Sequence, residues 1–94
     1  MAKRSKNRNP ISQEALNDAI TCITKNLAKK LKKHGDGMWC SRHEVLGIIE
    51  EEVYELLRSV HEKESPERFI EELADIAVGC LFGIACTLND GLEW

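Results

Sequence analysis

The feature that most restricts the fold is the break at Glu64-Ser65-Pro66-Glu67. A serine cap, a proline at the first helical position and an acid in the first turn make a strong helix start. The chain must therefore turn here, between two runs of helical periodicity. Folded back as an antiparallel hairpin, it sets residues equidistant from the turn side by side. That register pairs Glu55 with Glu72 and Glu52 with Asp75. Within each helix the two acids are three residues apart, so they share a face. At about 1.5 Å of rise per residue, both pairs meet roughly 13 Å below the turn.

Ahead of the hairpin, Pro10 and Ser12 can start a first helix, and Leu16, Ala19, Ile20, Ile23, Leu27 and Leu31 form its apolar stripe. Lys29, Lys30, Lys32, Lys33 and His34 then precede Gly35. Cations in a last turn complement the helix dipole, and glycine supplies the stop. The alternative reading is that one or two of these lysines reach an anionic ligand. The loop from Gly35 to Cys40 carries Trp39, either as a packing plug or as a platform for a base. Ser41-Arg42-His43-Glu44 has the form of a capping box and opens a second helix. Its apolar positions are Val45, Leu46, Ile49, Val53, Leu56, Leu57 and Val60. The third helix reads to about Leu88 and closes at Asn89 to Gly91, with Phe69, Leu73, Ile76, Ala77, Cys80 and Ile84 as its main face. Glu72 and Asp75 flank that face. Gly79 and Gly83 continue their side and let a helix or ligand approach closely. The expected fold is an all-α antiparallel bundle of three long helices. It forms one domain over residues 11–94, after a disordered basic tail at residues 1–10.

Charged residues make up 31% of the chain and apolar ones 43%, but aromatics only 5%. The core must then be aliphatic, and so small a bundle is expected to complete it by pairing, as a homodimer or homotetramer. Beyond Asp75 the third helix is apolar nearly all round, which one hairpin cannot bury. The run from Ile76 to Leu88 falls short of the roughly 20 residues a membrane span needs, so no membrane role is expected. Lys3, Arg4, Lys6 and Arg8 precede no long apolar segment, which argues against a signal peptide. Nucleic acid is at most a minor partner of that tail. Cys22, Cys40, Cys80 and Cys86 lack zinc-site spacing. They read as reduced core thiols of a cytoplasmic protein.

On a helical wheel Glu52 falls inside the apolar arc of the second helix and Glu55 just beyond it, whereas Glu44, Glu51 and Glu62 point outward. An acid inside an apolar stripe is costly unless it is paired or metal-bound. One reading pairs Glu52, Glu55, Glu72 and Asp75 with cations of the first helix. The other gives four crowded carboxylates to a hard divalent cation, Mg²⁺ or Mn²⁺. A di-iron site is set aside, because none of His34, His43 and His61 follows a glutamate by three residues.

Glu51-Glu52-Val53-Tyr54-Glu55, a gap of 16 residues, then Glu72-Leu73-Ala74-Asp75 resembles the EExxE…ExxD signature of the MazG-like, all-α nucleoside triphosphate pyrophosphohydrolases. The resemblance covers roughly Ser41 to Leu88. It implies that Glu52, Glu55, Glu72 and Asp75 are magnesium ligands, with Glu51 as the motif's leading acid. It also implies hydrolysis of a nucleoside triphosphate to the monophosphate and pyrophosphate, by attack of water on the α-phosphorus. Glu52 or Glu55 would be the catalytic base. Lys29, Lys33, Arg42 and Arg58 are candidates to hold phosphates, and Trp39 to hold the base. The alternatives are a degenerate member without activity and a non-enzymatic helical interaction module.

Overall fold

The computed structural model describes residues 8–94. The expected tail at residues 1–10 lies outside the described residues as far as Asn7. Three helices follow: α1 (Gln13–His34), α2 (Arg42–His61) and α3 (Pro66–Leu88). A serine begins each one. Ser12, Ser41 and Ser65 accept, on their hydroxyl oxygens, the N–H groups of Ala15, Glu44 and Arg68 at 3.0, 3.1 and 3.3 Å. Each thereby satisfies a donor that a helix start leaves free. Glu44 reaches back as a capping box requires, but it accepts from Cys40 N–H, at 2.6 Å, rather than from the cap residue. Gly35 closes α1 at φ 79°, donating to the Leu31 carbonyl at 2.8 Å. Among the described residues no helix is long and apolar enough to cross a membrane.

Helices α2 and α3 form the antiparallel hairpin, and α1 packs on α3 without a close backbone approach to α2. The interior runs along the small side of α3. An added Cβ at Gly83 would stand 2.9 Å from Val45 Cγ1, and one at Gly79 3.7 Å from Ile49 Cγ1. Close helix packing therefore uses the glycines. This corrects the expected main face of α3. Ala74, Val78, Gly79, Gly83 and Cys86 are buried with Glu72, whereas Phe69, Leu73, Cys80 and Ile84 are exposed. On α2 the inner row is Val45, Ile48, Ile49, Glu52, Leu56 and Ser59, while Leu46, Val53, Leu57 and Val60 are exposed. The first nine residues of α1, Gln13 to Thr21, are all exposed, including Leu16 and Ile20 of its expected stripe. The cysteines are all free, but only Cys86 is buried and Cys22 half-buried; Cys40 and Cys80 are not core thiols.

After α3 the chain returns to the start of α2. Ser41 and Glu93 form a parallel bridge. Arg42 and His43 donate their N–H groups to the carbonyls of Glu93 and Trp94 at 2.8 and 3.3 Å, and Glu93 N–H donates to Cys40 at 3.0 Å.

Candidate metal centre

The hairpin register and the inward side of α2 bring three of the four expected acids together. Glu52, Glu55 and Glu72 each offer a carboxylate oxygen, and these lie within 4.8 Å of one another. Glu72 is the most enclosed, with 3% of its surface exposed, because α2 lies over the small side of α3. Glu52 is half-buried and Glu55 exposed, so the group opens to solvent on one side. Glu51 points outward, as its place on the wheel requires. Two oxygens, Glu52 Oε2 and Glu72 Oε2, are buried with no hydrogen-bond partner, and so is Ser59 Oγ on the next turn of α2. An unpartnered buried polar group costs about 1–3 kcal/mol.

Burial raises the proton affinity of Glu52, and the neighbouring charges of Asp75 and Glu55 raise it further against the opposing Lys30. Burial also raises that of Glu72, with Arg68 opposing and Glu55 and Asp75 reinforcing. Both carboxyls therefore hold protons more readily than ordinary glutamates.

Asp75 stands outside the tight group, turned toward α1. It accepts from Asn26 Nδ2 at 3.2 Å and lies 3.6 Å from Lys30 Nζ. Arg68 sits on the other side. It donates to Glu72 Oε1 at 2.7 Å and to Glu71 Oε2 at 3.0 Å, with Glu64 at 4.0 Å. Glu72 holds the Arg68 guanidinium firmly protonated. Lys30 is one of the first-helix lysines that could reach the site, though Lys29 and Lys33 were the ones singled out, and Asn26 and Arg68 were not expected there.

A half-open hollow of about 340 Å³ adjoins the acids, lined by α1, the 35–39 loop and the hairpin. Glu52 and Asp75 stand on its wall with Lys30 and His34, beside apolar Leu27, Ile48, Val78 and Phe82. Trp39 lines it and meets the Phe82 ring edge-on, with centroids 4.8 Å apart. Lys29 and Lys33 are exposed and do not line it. Arg42 lies at the far end of α2 with its guanidinium 4.0 Å over the Trp94 ring, which corrects its expected place near the phosphates. Arg58 lines a second hollow of about 280 Å³ with Glu55, Glu64, Arg68 and Glu72, and pairs with Glu62 at 3.6 Å.

The residues fit a hard cation. Carboxylate oxygens within 4.8 Å of one another are on the scale of one ion's shell, whose ligands stand about 2.0–2.6 Å from the metal. No protein-family model matches this chain, and no curated protein or solved structure matches it either.

Proposed function

We propose that this chain is a Mg²⁺-dependent nucleotide pyrophosphohydrolase of MazG-like type, with Mn²⁺ as a substitute. It cleaves (deoxy)nucleoside triphosphates to the monophosphate and pyrophosphate in nucleotide-pool housekeeping, and it works as a homo-oligomer. The observation that carries the reading is the Glu52, Glu55 and Glu72 group with two buried, unpartnered carboxylate oxygens. These residues would hold the ion, with Asp75 at the edge. When bound, the ion neutralises the triphosphate and lowers the pKa of water. The chain's own residues supply the rest. Glu52 or Glu55 takes the proton of the water that attacks the α-phosphorus, and pyrophosphate leaves as the α–β bridge breaks. Lys30 and His34 face the cavity and hold phosphate oxygens, in place of Lys29 and Lys33. Trp39, Phe82 and Ile48 wall the space for the rest of the nucleotide. Its volume falls at the small end of ligand pockets.

A second reading, a helical interaction module, draws on the ion pairs. Arg68 already pairs Glu72, Lys30 already pairs Asp75, and apolar side chains of α2 and α3 stand exposed. The two readings part on pyrophosphate release from a panel of canonical and modified nucleoside triphosphates, with Mg²⁺ or Mn²⁺ and then with chelator. Metal-dependent release that disappears in Glu52→Ala supports the enzyme. No release, together with no rise in melting temperature on adding Mg²⁺, overturns it and leaves the module. A metal response without turnover identifies a degenerate member.

A further inference from the structure

Two glycines of α3 face α2, and packing requires only one of them. A Cβ on Gly83 would stand 2.9 Å from Val45 Cγ1, so the helices meet there through bare backbone. A Cβ on Gly79 would meet a single atom within 4 Å beyond its own stretch of helix, Ile49 Cγ1 at 3.7 Å, which is an ordinary contact. Gly79 is nevertheless buried. Protein interiors are close-packed, so a buried position with room for another carbon borders a void. That void is the 340 Å³ hollow, which Gly79 lines. Helical backbone gives no reason for glycine here either, since alanine is the better helix former. What glycine adds at this position is space in the hollow.

The register of the hairpin shows where that space lies. Pairing Glu52 with Asp75 sets Ile48 against Gly79, four residues further from the turn on each helix. These two residues therefore stand about 6 Å along the hollow from the acids. Three residues beyond Gly79, Phe82 meets Trp39. A nucleotide held at the acids by its phosphates lays its base along this line, toward the aromatic rings. There the hairpin offers Ile48, Val78 and Gly79, which carry no hydrogen-bonding side chain. On this side a base is sorted by its bulk and not by the donors and acceptors on its edge. We propose, resting on the pyrophosphohydrolase reading, that Gly79 is the specificity-determining residue of the site. The side chain it lacks leaves room for the two-ring purine bases, and a larger residue there confines the hollow to one-ring pyrimidines.

The test is kcat/KM of the full chain for ATP, GTP, CTP and UTP in Mg²⁺, read as pyrophosphate release. Gly79→Ala should lower the values for ATP and GTP about tenfold relative to those for CTP and UTP, the size of effect that one misfitting carbon has in a pocket. Ile48→Val removes a methyl from the opposite wall, and in the Gly79→Ala background it should restore much of the lost ratio. Gly47→Ala is the control. Gly47 lies on the exposed side of α2 with open space around it, so the change favours the helix as Gly79→Ala does and should leave the ratio unchanged. An equal fall for all four nucleotides in Gly79→Ala, or no change, overturns the inference and leaves the pyrophosphohydrolase standing. So does a wild type that cleaves only CTP and UTP. A Gly79→Ala protein that melts below wild type overturns it as well, because the space would then be filled. Wild type that releases pyrophosphate from none of the four overturns the reading itself, and the inference with it.

Discussion

Removing the charge of Glu52 should stabilise the metal-free protein, although the residue sits at the centre of the site. Glu52 and Glu72 both have raised proton affinities, so above the ordinary glutamate value of 4.5 the folded chain binds more protons than the unfolded one. Stability then falls as pH rises through the folded-state values. The size follows from the spacing. Two unit charges at the 4.8 Å limit of the group repel by about 3.5 kcal/mol at an effective dielectric of about 20. Solvent on the Glu55 side reduces the net effect to about 1–2 kcal/mol. For a domain of this size that is about 4–16 °C in Tm. Thermal melts in chelator at pH 4 and pH 8 check it. Glu52→Gln should melt above wild type at pH 8, and the difference should shrink toward pH 4. In Mg²⁺ at ten times its Kd, wild type should gain about 1.4 kcal/mol by mass action, and the variant should gain little. A variant that melts below wild type equally at both pH values would refute the reasoning, because its cost would then be packing and not charge.

Four further substitutions test the geometry. Arg68→Gln should lower the Tm of the metal-free protein, by leaving Glu72 without its 2.7 Å partner, yet increase the Tm gain on Mg²⁺ addition, because the guanidinium no longer competes for that carboxylate. Gly83→Ala should cost about 1–3 kcal/mol in urea unfolding, since its methyl would stand 2.9 Å from stiff Val45. Gly79→Ala, with 3.7 Å to Ile49, should instead gain up to about 1 kcal/mol of helix propensity. Lys30→Gln should steepen the loss of stability above pH 4.5, because Lys30 opposes the raised proton affinity of Glu52. It should also raise the KM for a triphosphate with a smaller change in kcat.

The helix starts were legible because their signals are local. Ser12, Ser41 and Ser65 cap as their positions indicate, and the Ser65-Pro66 break fixes the hairpin register that gathers Glu52, Glu55 and Glu72. The inward side of α3 was not legible. A helix apolar nearly all round carries no direction in its pattern, and the choice fell to close packing, which selects Gly79 and Gly83 over Leu73 and Ile84. Lys30 was not singled out from the neighbouring lysines although a signal existed. It follows Ile23 by seven residues and Leu27 by three, so it interrupts the apolar stripe of α1 just as Glu52 interrupts that of α2. Lys29 and Lys33 lie off that stripe. Arg68 was also missed although spacing showed it, since it precedes Glu71 by three residues and Glu72 by four, the spacing of helical ion pairs.

The ladder between residues 93–94 and 40–43 gives the hairpin a second closure. The turn at 62–65 holds one end, and the chain after α3 clasps the start of α2 at the other. The helices that carry the acids are thus bound into a ring that cannot splay from either end without breaking backbone hydrogen bonds. Helix α1 lies outside the ring. It is joined through a loop with glycines at 35 and 37, and its backbone closely approaches only α3. The wall of the 340 Å³ cavity that bears Lys30 and His34 therefore lies outside the ring, while Glu52, Glu55 and Glu72 lie within it. The cavity wall and the three gathered acids belong to different parts of the chain, joined where Asn26 and Lys30 of α1 meet Asp75.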